Sequence, residues 1–187
     1  MCKYPIALAT LFNELTPQIG AWADQQFDAS DARLGVVEET GEVTHCILKR
    51  MQRIRGFDNF EHFITKLADG LADTLVYLAH VCWVTKDALG NPATVGVEPV
   101  CGLGDCWAPS GYAAIIAKSL RTQADLLEQN DYRFVQTRVE IVLHATSALA
   151  QMYEIDIVAA LSYTWKKVAT RNWRADAVHA AAIADRG

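Results

Sequence analysis

The chain has no excess of positive charge. Its 187 residues carry 17 Lys and Arg against 22 Asp and Glu, a formal net charge of −5. That balance argues against a partner such as bulk DNA or RNA, whose binders show a basic stripe. It leaves room for a nucleotide, which needs only a few basic groups and a metal. Long apolar runs are also missing. The most apolar stretch, Leu71 to Val84, is shorter than a bilayer span and contains Asp73 and His80. Met1 to Thr10 holds one lysine and no apolar run ahead of a small-residue cleavage site. A cytoplasmic protein with no membrane partner is expected. Nor is there material for a disulfide framework. The cysteines (Cys2, Cys46, Cys82, Cys101 and Cys106) are odd in number, so reduced thiols are expected. Cys101 and Cys106, in CGLGDC, have no second pair to complete four zinc ligands.

Proline and glycine are sparse except in one place. Residues 87–111 hold Pro92, Pro99 and Pro109 of the five prolines and five of the eleven glycines. Their longest β-like run is Thr94 to Val100. This segment reads as an irregular insertion rather than a linker between domains. No internal repeat or low-complexity tract occurs.

Elsewhere apolar residues recur with helical spacing. The pattern predicts helices over Ile6–Gln26, Arg33–Ile54, Phe60–Val84, Tyr112–Glu128 and Tyr132–Tyr153. A last helix is capped by Asp156 and runs through Thr170. In the third helix Leu67, Leu71, Leu75, Leu78 and Cys82 make one apolar stripe. The expected fold class is all-α, a single-domain bundle over residues 1–187 with one insertion at about 87–111.

Two of these helices carry acidic residues in a pattern that needs explaining. At about 100° per residue, Glu38, Glu39 and Glu42 share one narrow face, continued by His45 and Lys49. Carboxylates so close repel one another. A hard divalent cation bound through oxygen relieves the repulsion. Asp69 and Asp73 recur four apart on the next helix, and Asp73 sits among Leu71, Ala72, Leu75 and Val76. A lone aspartate in such a setting is costly unless paired or bound to metal. The solvated-face alternative stays open for the three glutamates taken alone. Two such helices in succession, joined by a connection rich in basic residues (Lys49, Arg50, Arg53, Arg55), favour a metal site.

The strings GVVEETGEVTHCILKRMQRIRG, KLADGLADTLVYLAHVC and ALSYTWKKVATRNW resemble the MazG-like all-α nucleoside triphosphate pyrophosphohydrolases, a superfamily that includes dimeric dUTPases and dCTP pyrophosphatases. The resemblance covers about Trp22 to Trp173. The family pattern is E-x-x-E on one helix and E-x-x-D on the next. Glu39 and Glu42 match the first half, and Asp73 matches the last position of the second. Gly70 stands where the pattern has glutamate, with Asp69 as the substitute acid on the same face.

The resemblance implies hydrolysis of a (d)NTP to the monophosphate and pyrophosphate, a reaction compatible with nucleotide-pool sanitation. It implies Mg²⁺, or Mn²⁺ in its place, on Glu39, Glu42, Asp69 and Asp73, with Glu38 a further ligand or the general base. It points to Lys167, Arg171 and Asn172 at the phosphates, with Lys49 a weaker candidate, and to Tyr77 near the sugar or base. Trp22 is a candidate for stacking on the base, against the alternative of core packing. A homodimer or homotetramer is implied. Two other readings remain: a non-catalytic helical nucleotide-binding or regulatory protein with a degenerate site, and a ferritin-like carboxylate-iron protein. The second rests on Glu42-x-x-His45 and lacks its partner motif.

Overall fold

The computed structural model describes residues 6–26, 31–53, 56–86, 109–128, 135–173 and 175. Regular structure among the described residues is entirely helical. The helices are α1 (Ile6–Gln26), α2 (Asp31–Gln52), α3 (Phe60–Val84), α4 (Pro109–Glu128), α5 (Val135–Met152) and α6 (Ile157–Val168). The all-α expectation holds. The expected insertion falls mostly on residues 87–108, outside the described residues. Its end differs from expectation: Pro109 to Gly111 form the first turn of α4. Proline suits that position, where its missing N–H has no helical acceptor and its φ is already helical.

Helix ends follow local chemistry. At α3, Asn59 accepts a hydrogen bond from the His62 backbone N–H at 2.8 Å. At α6, Asp156 accepts one from the Ala159 N–H at 3.0 Å. Each satisfies a donor that the first helical turn leaves orphaned. The second helix stops two residues before the expected Ile54. Arg53 adopts φ 53°, a left-handed conformation that ends a helix.

The centre of the bundle is α3, which packs against α1, α2, α5 and α6, while α4 packs against α2 and α5. Its Leu67, Leu71, Leu75, Leu78 and Cys82 are all fully buried, as the apolar stripe predicts. By length and composition α3 could also cross a bilayer, but 67% of its most apolar window is buried inside the bundle.

Two glycines let helices approach closely. Gly70 on α3 faces α2, where a Cβ would lie 3.3 Å from Val43 Cγ2 and 3.8 Å from Glu42 Cβ. Gly35 on α2 supports the Tyr77 ring, which occupies the place a Cβ would take. These contacts fix α2 against the middle of α3 and bring their acidic residues together.

Candidate functional site

A cavity of about 210 Å³ opens between α1, α2, α3 and the chain just past α6. Its polar lining is Glu38, Glu39, Asp73, His80 and Arg171; its aromatic lining is Trp22, Tyr77 and Trp173. Ile19, Ala23, Val76 and Val168 close the rest. Acidic and aromatic side chains therefore line the same cavity, with Tyr77 next to Glu39, Glu38 and Asp73.

The carboxylates meet because α2 and α3 cross at Gly70, between Asp69 and Asp73. Glu39 is half-buried, and its Oε2 is buried without a hydrogen-bond partner. Burial, then the charges of Asp73, Glu42, Glu38 and Asp69, push the Glu39 pKa up from 4.5 to about 8. Asp73 rises from 3.8 to about 6, chiefly through burial and then Asp69, against the opposing pull of Lys167 and Arg171. Tyr77 is pushed up to about 12 by burial and the neighbouring Glu39, Glu38 and Asp73. All three shifts have the same physical content: a half-buried pocket holds more negative charge than its basic neighbours offset.

Basic groups enter from the end of α6. Lys167 Nζ lies 3.5 Å from Asp69 Oδ1, with both side chains about two-fifths exposed. The Trp22 Nε1–H donates to the Arg171 carbonyl oxygen at 3.3 Å. The Trp22 ring also meets Trp165 and Trp173 edge to face, with centroids 5.9 and 5.1 Å away. These contacts hold the Arg171 segment beside the cavity, with the Arg171 guanidinium 5.8 Å from the Trp173 ring centroid.

Glu38, Glu39, Asp73, Tyr77, Arg171 and Trp22 thus line one cavity. Glu42 is exposed beside the group. Asp69 faces α6 rather than the cavity, lining a shallow surface groove with Tyr163 and Thr164. Asn172 is exposed, and its Oδ1 accepts from the Ala175 N–H at 3.2 Å, which makes it a cap. Lys49 stands elsewhere. It lines a separate basic groove at the α2–α3 turn with Arg50, Arg53 and Phe60. His45 is exposed on α2, whereas His80 is buried and lines the cavity.

Sequence reasoning did not single out Trp173 or Gly35. Trp173 lies at the end of the KKVATRNW string, but only the fold brings it beside Trp22. Gly35 precedes the acidic residues, but its role exists only through Tyr77.

Among the described residues, no three His, Cys, Asp or Glu side chains converge closely enough to form a metal-ligand group. The donor chemistry nevertheless suits a hard cation. All the acids are oxygen donors, and Glu39 offers a buried oxygen with no protein partner. Cys46 and Cys82 are buried free thiols and stand apart from the cavity lining. Comparison with protein-family models, curated proteins and solved structures finds no match to this chain.

Proposed function

We propose that the protein is a divalent-cation-dependent pyrophosphohydrolase of nucleoside triphosphates, of the MazG-like kind, converting (d)NTP and water to (d)NMP and pyrophosphate. The observation that carries this reading is the cavity itself. Three carboxyl groups, an arginine and three aromatic rings face one space. Such a lining suits a ligand that carries both a flat ring and a metal-bound polyanion.

Glu39 and Asp73 would hold Mg²⁺ or Mn²⁺, with Glu42 and Asp69 flanking them. The cation would neutralise phosphate charge and lower the pKa of a bound water. Glu38 lies at the cavity edge, where a carboxylate can take a proton from attacking water. Arg171 supplies a fixed positive charge for phosphate oxygens. Lys167 can exchange its exposed bond to Asp69 for a phosphate. Trp22, Tyr77 and Trp173 offer stacking faces to the base. Phosphoryl chemistry of this kind relies on positioning and charge neutralisation more than on a reactive side chain.

The test is pyrophosphate release from a panel of canonical and modified dNTPs and NTPs with Mg²⁺ or Mn²⁺. Turnover that vanishes in Asp73→Ala and Glu39→Ala, with helical content intact, supports the reading. No release from any nucleotide in the panel refutes it. One observation favours a second reading, a nucleotide-binding protein without catalysis. Gly70, at the α2–α3 crossing, leaves no acid facing Glu42 where the family pattern has one. That protein would be stabilised by nucleotide but would release no pyrophosphate.

A further inference from the structure

Positive charge gathers at the turn between α2 and α3. A groove of about 770 Å³ opens there, lined by Lys49, Arg50, Arg53, Phe57, Asn59 and Phe60. That volume falls in the range of about 300–1,000 Å³ usual for small-ligand sites. No acid is found in the groove's lining among the described residues. Nor, among them, does any carboxylate form an ion pair with the three cations. Asp58, the acid between Phe57 and Asn59, has its Oδ2 3.1 Å from His62 Nδ1 instead. In a chain of net charge −5, three cations in one groove without a counter-charge favour an anion supplied from outside.

The groove is also held in shape. The Arg50 guanidinium lies over two rings, 5.0 Å from the Phe60 centroid and 5.6 Å from that of Phe63. Stacking uses the flat face of the group and leaves its N–H edge for hydrogen bonds. Arg53 follows with a left-handed backbone, φ 53°, and its N–H donates to the Arg50 carbonyl oxygen at 3.4 Å. The Lys49 stem lies over Gly56, where a Cβ would stand 3.4 Å from Lys49 Cγ. Asn59 is the N-cap of α3, so the positive end of that helix opens on the same groove. Ring surface is on offer beside the charge. Phe60 is 52% exposed and Phe57 is half-buried. An inorganic anion leaves those rings unused.

We propose that this groove is a second ligand site, for a phosphate ester that carries a flat ring, of the size of a nucleoside monophosphate, bound without a metal ion. Arg50 and Arg53 take the phosphate oxygens, Lys49 adds charge, and Phe60 takes the ring. The site is separate from the carboxylate cavity. Arg50 stands about 16 Å along the α2 axis from Glu39, and the two linings share no residue. The assignment therefore does not depend on hydrolysis at the cavity.

Calorimetric titration of the full chain with dAMP, in EDTA and low salt, tests it. EDTA keeps divalent cations from recruiting phosphate to the carboxylates. Wild type is expected to bind one dAMP with a Kd below about 1 mM, and added salt should weaken binding. Ribose phosphate should bind about three- to tenfold more weakly, and deoxyadenosine at least about tenfold more weakly. Arg50→Gln should weaken dAMP binding at least about tenfold. Arg53→Asn, which tolerates the left-handed backbone, should weaken it about three- to tenfold. Phe60→Ala should remove most of the preference for dAMP over ribose phosphate. Arg171→Gln, at the cavity, should change dAMP affinity by less than about twofold. If Arg50→Gln loses its helical circular dichroism, Arg53→Asn carries the test. Equal affinity for dAMP and deoxyadenosine, or no dAMP binding at about 1 mM, overturns the proposal. So do groove variants that bind like wild type, a Phe60→Ala that keeps the preference, or a loss confined to Arg171→Gln. An oligothymidylate bound more than about tenfold tighter than dAMP overturns it in favour of a single-stranded nucleic acid.

Discussion

At the residue scale the decisive group is Glu39. Its buried Oε2 has no hydrogen-bond partner, and its pKa is raised to about 8 by burial and by Asp73 ahead of the other acids. A raised carboxylate pKa means that the folded state binds the proton more tightly than the unfolded chain. The resulting stability is fully present below about 4.5, the unfolded value, and is lost as pH rises through about 8. Asp73 adds the same sign between 3.8 and about 6. Melting curves of metal-free wild type and Glu39→Gln should therefore diverge with pH. Near pH 5 they differ little, and by pH 8 the variant melts higher. An advantage on the order of 1 kcal/mol corresponds to about 2–4 °C for a chain of this size. Parallel curves across that range would remove the electrostatic account of the cavity. Mg²⁺ should raise the wild-type melting temperature at pH 8 and leave Glu39→Gln nearly unmoved. An equal shift in both proteins would dissociate Glu39 from any cation.

At the element scale the crossing of α2 and α3 is set by two glycines with unequal demands. A methyl group on Gly35 would fall on the Tyr77 ring, while one on Gly70 would touch Val43 Cγ2 at 3.3 Å. Gly35→Ala should cost about 1–3 kcal/mol through overpacking and displace Tyr77 from the cavity. Gly70→Ala should be close to neutral, because alanine's helix preference of about 1 kcal/mol offsets a small repacking. Urea titration of the two variants checks the order, and a Gly70→Ala more damaging than Gly35→Ala would contradict the crossing described. Helix ends give a simpler case. Asp156→Ala removes the bond to the Ala159 N–H and should cost about 1 kcal/mol, measured by the same titration.

At the scale of the whole molecule, α3 is the element against which α1, α2, α5 and α6 are held. Leu71 and Leu75 are completely buried within it. Truncating either to alanine should cost about 2–5 kcal/mol and shift circular dichroism and cavity-tryptophan fluorescence together. Two separate transitions would mean that the site folds independently of the bundle. Close to the cavity, the Trp22–Trp165–Trp173 contacts tie α1 to the end of α6, so a core truncation should also loosen Arg171.

Much of this was legible in the sequence, for a physical reason. Periodicity at 3.6 residues depends only on neighbours along the chain, so α1 and α3 could be bounded to the residue. The Asp156 cap and the acidic face of α2 are equally local. What separates residues on one helix from residues at one site is not local. Lys49 shares the acidic face by spacing, yet stands at the far end of α2 beside Phe60. Asp69 shares a face with Asp73, yet turns to Lys167 once α6 is in place. Asn172 sits in the basic string and becomes a cap, while Trp173, one residue on, becomes cavity wall. The sequence by itself determined the helices and which faces carry acid, because those follow from side-chain spacing and solvation. Only the tertiary structure decided that Glu38, Glu39 and Asp73 share a space with Trp22 and Arg171, because that depends on where Gly70 and Gly35 let two helices touch.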